Sequence, residues 1–259
     1  MSVITLLTDF GLKDVYIGVM KGVILNINPE AKIVDITHEV RPQDIKEAAF
    51  LLKTVYQFFP KSTIHVIVVD PGVGSARRPI LAVTEDYLFV APDNGVLELV
   101  YQNEKTKVYH LNNPHYFLPK ISTTFHGRDI FAPIAAYLSL GVKPETLGKE
   151  INDYVRIDWP KPIKEVDCLK GEIIYIDRFG NLISNISRKI FDKYIGNKSF
   201  SIHFKNITLK QIASHYLAVS PGEILALWDS SDYLEIAQSL GNAKESLKAN
   251  IGEKIEIYF

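Results

Sequence analysis

The chain has 259 residues, 47% apolar and 23% charged, with a formal net charge of −1. A chain of this length hides roughly three quarters of its unfolded surface, which sustains one large core or two unequal ones and argues against disorder. A charge so near zero sets up no field that would gather phosphate backbones or anionic lipid, so neither nucleic acid nor membrane is an expected partner.

The first apolar run, Val3 to Leu7, has no basic region before it and stops at Asp9, too short for a signal peptide or a span. A cytoplasmic location is the expectation. Tyr16, Val19, Met20, Val23, Ile24 and Ile27 then recur at helical spacing, with Asp14 ahead as the cap and Pro29 just beyond the end. Ile33 to Ile36 reads as a second strand. A helix from Asp44 to Phe59 is expected because Ile45, Ala48, Leu52, Val55, Tyr56 and Phe59 share one face and Pro60 ends it. Strands are expected at Ile64 to Val69, Ile80 to Thr84 and Leu88 to Val90, and a third helix after Asn94-Gly95. A fourth helix should cover Arg128 to Leu140, with Pro133 in its first turn and Gly141 at its end.

This alternation predicts an α/β N-terminal domain, residues 1–160, with a mainly parallel sheet flanked by helices. Trp159-Pro160-Lys161-Pro162 favours an extended connector, and the composition changes there. Beyond it, residues 165–259 carry short strands at Glu172 to Ile176, Leu182 to Ile186, Phe200 to Phe204, Ile224 to Trp228, Tyr233 to Ile236 and Lys254 to Phe259, and one short helix near Ala243 to Ala249. A smaller antiparallel β-barrel fits that pattern. Cys168 is the only thiol, so it has no disulfide partner within the chain and no second thiol with which to hold zinc; a buried hydrophobe is its expected role.

Ligands of open α/β sheets collect beyond the carboxyl ends of the strands, so the residues just after each strand belong to one group. Here that group is polar: Asp9, Thr37-His38-Glu39, Asp70 with the loop Pro71 to Arg78, Asp93-Asn94, and Thr123 to Asp129 ahead of the fourth helix. Asp9 follows its strand directly and has no helix to cap, which favours a ligand contact. Asp14 reads first as a cap, His38 as a structural loop histidine, and Asp93-Asn94-Gly95 as a turn feeding a helix. The Gly72 to Gly74 loop lacks the lysine and hydroxyl residue of a Walker loop, and no dinucleotide glycine fingerprint follows the first strand. What remains is an aspartate at a strand end, a tight glycine turn, and an arginine seven residues on that can fold back over it.

Five separated motifs occur in order: Thr8-Asp9-Phe10-Gly11 with Asp14, Val69-Asp70-Pro71-Gly72-Val73-Gly74, Ala91-Pro92-Asp93-Asn94-Gly95, Phe125-His126-Gly127-Arg128-Asp129 and Asp177-Arg178-Phe179-Gly180-Asn181. Together they resemble the S-adenosyl-L-methionine hydroxide adenosyltransferases, relatives of the fluorinating and chlorinating enzymes that act on the same substrate. The resemblance implies a hydrolase that releases adenosine and L-methionine with no metal and no cofactor. It places the hydrolytic trio at Asp70, Arg77 and His126. Asp9 would then hold the ribose hydroxyls, and Phe125 would be a further substrate contact. Asp14 and Asp177 would lie near the methionine amine, Phe179 and Asn181 beside the adenosine, and Ser230 and Ser231 near the methionine carboxylate. It also implies a homotrimer in which the first domain of one subunit and the second domain of its neighbour share each site.

The chemistry suits these residue types. Displacement at C5′ expels a neutral thioether, so the leaving group needs no acid; the attacking water must be aimed and relieved of a proton, and Arg77 is expected to lower the pKa of Asp70 while holding it. Three other readings stay open. In a halide-using relative Asp70 would repel the anion; a non-catalytic adenosine or S-adenosylmethionine sensor would need the same pocket without the nucleophile apparatus; a metal-dependent phosphoesterase would be built on Asp9, Asp35, His38, Asp70 and His126.

Overall fold

Apolar residues on both faces of a strand require two covering layers, and the first unit of the chain supplies them. The computed structural model describes residues 3–259, which divide into one unit reaching to Asp158 and another running from Trp159 to Phe259. In the first unit the elements are β1 (Val3–Thr8), α1 (Tyr16–Ile27), β2 (Lys32–Thr37), α2 (Ile45–Val55), β3 (Ile64–Val68), β4 (Pro79–Val83), β5 (Leu88–Pro92), α3 (Glu98–Asn103), β6 (Lys107–Leu111), α4 (Ala132–Ser139), α5 (Pro144–Leu147) and β7 (Gly148–Ile151). The sheet runs in the order β2-β1-β3-β5-β4-β6-β7. Alternation along β1 sends Ile4 and Leu6 to the face covered by α1 and α4, and Leu7 to the face covered by α2 and α3.

The expected parallel sheet is formed by β2, β1, β3 and β5. It continues antiparallel through β4, β6 and β7. Pattern reading did not pick out β6 and β7, because Lys107, His110, Lys149 and Glu150 break any apolar run there. In α2 the last expected turn tightens into a 3₁₀ turn over Tyr56–Phe58 ahead of Pro60. Its start is as the sequence suggests, with the Asp44 side chain accepting from Glu47 N at 2.8 Å. The expected cap of α1 is not there. That helix is entered through Val15 with no side-chain cap bond, and Asp14 stays exposed in the preceding turn.

The second unit contains β8 (Ile163–Lys164), β9 (Cys168–Ile176), β10 (Leu182–Ser187), α6 (Arg188–Tyr194), β11 (Ser201–Phe204), β12 (Ile207–Leu209), β13 (Ile224–Trp228), β14 (Tyr233–Gln238), α7 (Ala243–Leu247) and β15 (Lys254–Tyr258). Its strands pair antiparallel in the order β12-β11-β15-β9-β10-β14-β13, with β8 on β9. The resulting barrel-like sheet closes over Leu169, Ile173, Leu182, Ile186, Phe204, Leu234, Ile236 and Ile257. Helix α6 was not expected; it is short, caps on Ser187 and buries Phe191. Cys168 is buried as anticipated, and burial pushes its thiol up. Among the described residues no helix is long and apolar enough to cross a membrane.

Candidate active site

From β1 the chain passes through α1 to β2 on one side, then through α2 to β3 on the other, and the two helices cover opposite faces. The carboxyl ends of β1 and β3 therefore flank a topological switch point, where α/β sheets leave a crevice. A cavity of about 390 Å³ lies there, lined by Asp9, Phe10, Tyr16, Pro42, Gln43, Val68, Asp70, Pro71, Val73, Thr124, Phe125, His126 and Gly127.

Asp70 stands just past β3 at the head of a tight turn, in which Val73 N donates to Asp70 O at 3.2 Å and Ser75 N to Gly72 O at 3.1 Å. That turn returns Arg77 over Asp70. Arg77 Nε donates to Asp70 Oδ1 at 3.1 Å, and Nη2 donates to Oδ2. Both side chains are nearly out of solvent, 7% exposed for Arg77 and 5% for Asp70. The same Nη2 lies 3.1 Å from His126 Nδ1. A guanidinium can only donate, so Nδ1 accepts and the ring is neutral with its proton on Nε2. Burial and the Arg77 charge both hold the His126 pKa below its ordinary value, which keeps that state. Arg77 does not line the cavity. It sits behind the two residues that do, 5.4 Å above the Phe131 ring.

Arg77 lowers the Asp70 carboxyl as expected, but burial outweighs it. Burial raises the Asp70 carboxyl above its ordinary value, and the guanidinium offsets only part of that rise. Arg78 takes no part, being committed to Asp93 at 2.7 and 2.9 Å and to Asp153 at 2.8 Å. Asn94 donates to Val69 O at 2.9 Å, so the Asp93-Asn94-Gly95 turn is structural. His38 is structural as well, buried between Thr8 Oγ1 at 2.9 Å and Asp35 Oδ1 at 3.1 Å.

Asp9 lines the cavity and accepts from Gln43 N at 2.8 Å through Oδ2. Gln43 holds φ at 66°, a left-handed conformation uncommon for a side-chain-bearing residue. Phe125 also lines the cavity, edge-on to Phe10 and Tyr16 with ring centroids 5.9 and 5.2 Å away. Asp14 is exposed and not part of the lining. Sequence reasoning missed Phe10, Tyr16 and Gln43. Helical spacing assigned Tyr16 to the core face of α1, yet it is 45% exposed; the only signal for Gln43 was the Pro42-Gln43-Asp44 turn.

In the second unit Asp177 organises its own turn. Its Oδ1 accepts from Phe179 N at 2.9 Å and Asn181 N at 2.8 Å, and its Oδ2 from Asn181 Nδ2 at 3.0 Å. Asn181 is buried, whereas Phe179 is 74% exposed. Ser230 and Ser231 occupy the β13–β14 turn, where Asp229 accepts from Ser231 N at 2.8 Å. A residue not singled out from sequence feels the charge of both turns. Glu235 on β14 is buried, and burial together with the charges of Asp177 and Asp229 pushes its carboxyl up to about 7. Among the described residues no group of three or more His, Cys, Asp or Glu side chains converges in a way that would hold a metal ion.

Polar side chains gathered at a switch point in this manner define an α/β protein that holds a small molecule. The chain belongs to the S-adenosyl-L-methionine hydroxide adenosyltransferase family: the family's N-terminal domain matches residues 4–148 and its C-terminal domain residues 171–256. It is 36% identical over 271 residues to the (R)-S-adenosyl-L-methionine hydrolase of Methanocaldococcus jannaschii, covering 100% of this chain and 97% of that one. The protein of the same name from Thermus thermophilus is 32% identical, with 97% of each chain covered. A fluorinase of Nocardia brasiliensis is 26% identical over 98% of this chain and 97% of its own. Among solved structures, an uncharacterized conserved protein from Thermotoga maritima superposes with a TM-score of 0.93 at 40% identity, covering 99% of this chain and 100% of that one.

Proposed function

We propose that the protein hydrolyses S-adenosyl-L-methionine at the ribose C5′, giving adenosine and L-methionine. The observation that carries this reading is the Asp70 carboxylate, which lines the cavity beside His126 and is held from behind by Arg77. Water attacks C5′ in line with the C–S bond, the bonding pair leaves with sulfur as a neutral thioether, and the water proton passes to Asp70. His126 is unsuited to take that proton, because its Nδ1 lone pair is engaged by Arg77 and its Nε2 carries hydrogen. Its Nε2–H instead orients the water. A carboxyl raised by burial is a better base than an ordinary one, and a buried guanidinium fixes its direction. Arg77 is thus a positioning residue.

The similarity to hydrolases named for this substrate supports the reading. The fluorinase relative invites the alternative of halide attack, but an ionised Asp70 disfavours it. A halide at about 4 Å from a carboxylate, at an effective dielectric near 20, is repelled by about 4 kcal/mol. Asp9 holds the ribose hydroxyls and Phe125 packs on the substrate, while Asp14 and Asp177 serve the methionine amine. Phe179 and Asn181 border the adenosine, and Ser230 and Ser231 meet the methionine carboxylate. No metal or cofactor takes part. The working assembly is a cytoplasmic homotrimer in which the first unit of one chain and the second of its neighbour complete each site. This places the first unit in charge of the nucleophile and the second in charge of adenosine and methionine.

Incubation in oxygen-18 water tests the reaction. Label is expected in the adenosine 5′-hydroxyl; adenosine without label, or no cleavage, overturns it. For the shared site, inactive Asp70→Ala and Asn181→Ala chains are refolded together. Partial recovery of activity is expected, and none counts against the assembly.

A further inference from the structure

The cavity has a wall that the hydrolytic machinery leaves unused. Phe10, Tyr16 and Phe125 pack as three mutually inclined rings with centroids 5.2 to 5.9 Å apart and interplanar angles of 56°, 76° and 82°. All three line the cavity that holds Asp70 and His126. Arg128 occupies a position 5.4 Å from the Phe125 centroid. Among the described residues no cation stands over Phe10 or Tyr16, and Tyr16 is 45% exposed, too open to be explained by core packing.

The electrostatics of the cavity give this wall a task. Asp70, the carboxylate beside the reacting atoms, is paired with Arg77 and committed to the attacking water. Asp9 accepts from the Gln43 amide through Oδ2 and is assigned to the ribose hydroxyls. A cationic ligand drawn into this cavity therefore needs a negative surface that is neither basic nor nucleophilic, and the π faces of aromatic rings provide one. We infer that Phe10 and Tyr16, braced by Phe125, form the subsite for the methylsulfonium centre and discriminate the cationic substrate from neutral thioether nucleosides. The inference rests on the proposed substrate. The interaction is made with the charge of the ground state and weakens as the thioether forms, so it favours substrate binding and product release and does not speed the chemical step.

The experiment compares S-adenosyl-L-methionine with S-adenosyl-L-homocysteine, its neutral thioether counterpart, on Phe10→Leu and Tyr16→Leu chains. Leucine keeps an apolar body while removing the π face. Equilibrium binding is measured in an Asp70→Asn background, and KM and kcat in the otherwise native chain. Each substitution is expected to weaken binding of the sulfonium ligand about fivefold and that of the thioether less than twofold, with KM rising and kcat not falling. Tyr16→Phe, which keeps the ring, is expected to bind both ligands as the native chain does, and it guards against a folding defect in the leucine variant. Equal losses for the two ligands, a fall in kcat alone, or no loss at all overturns the inference. A chain that discriminates the ligands as expected but releases no adenosine sinks the proposed reaction and leaves this subsite standing.

Discussion

Gly74 and the backbone carbonyl of Thr123 approach so closely that a Cβ added at residue 74 would stand 2.1 Å from the Thr123 oxygen. Gly74 also holds φ at +77°, a conformation that costs other residues more than glycine. This contact joins the turn carrying Arg77 to the segment carrying His126, and so sets the spacing of the proposed trio. Gly74→Ala is expected to destabilise the chain by about 1–3 kcal/mol and to lower kcat roughly hundredfold through misplacement. Thermal unfolding and steady-state kinetics on the same preparation check it; native kcat would show that the approach is not needed.

Asp70→Asn removes the proposed base and keeps its shape. Turnover is expected to fall roughly 10²- to 10⁴-fold, while binding of S-adenosyl-L-methionine stays within a few fold. Because the base must be ionised, activity is present above the Asp70 pKa and is lost as pH falls through it. The acid limb of the kcat/KM profile is expected above the ordinary carboxylate value of 3.8, as burial dictates.

Arg77→Lys keeps the charge but forfeits the fork that reaches both Asp70 oxygens and His126. A fall in kcat of about tenfold or more is expected, with little change in KM, since Arg77 stands behind the cavity wall. Loss of the forked hydrogen bonds also leaves the Asp70 carboxyl higher still, so the acid limb should move to higher pH. A merely structural arginine would leave that limb where it was.

Glu235 makes a prediction about stability. Its carboxyl is raised from 4.5 to about 7 in the folded chain, so between those values the folded state holds a proton that the unfolded state has released. Stability is therefore lost as pH rises through that window, by about 3 kcal/mol at about 1.4 kcal/mol per pH unit. Glu235→Gln should remove this term. Denaturant titrations of the two chains at pH 4.5 and pH 8 are expected to diverge at the higher pH, with the glutamine variant the more stable there.

What the sequence determined by itself was whatever rests on local pattern. Apolar runs such as Ile64 to Val69 and the spacing of Val19, Met20, Val23, Ile24 and Ile27 specify their elements because strand and helix periods are properties of consecutive residues. The aspartate-turn-arginine segment from Asp70 to Arg77 was legible for the same reason, its partners being seven residues apart. The segment carrying His126 was grouped with them by its place ahead of the fourth helix, but its contact with Arg77, 49 positions away, was assigned only through family resemblance, since no local signal shows it. Tertiary structure alone decided the rest. It turned Tyr16 out of the core face and into the cavity, raised the Asp70 carboxyl by burial against the lowering by Arg77, left Asp14 without a helix to cap, and buried Glu235 within reach of the charges of Asp177 and Asp229. Each of these depends on desolvation or on packing between distant segments, and such quantities have no value until the chain has folded.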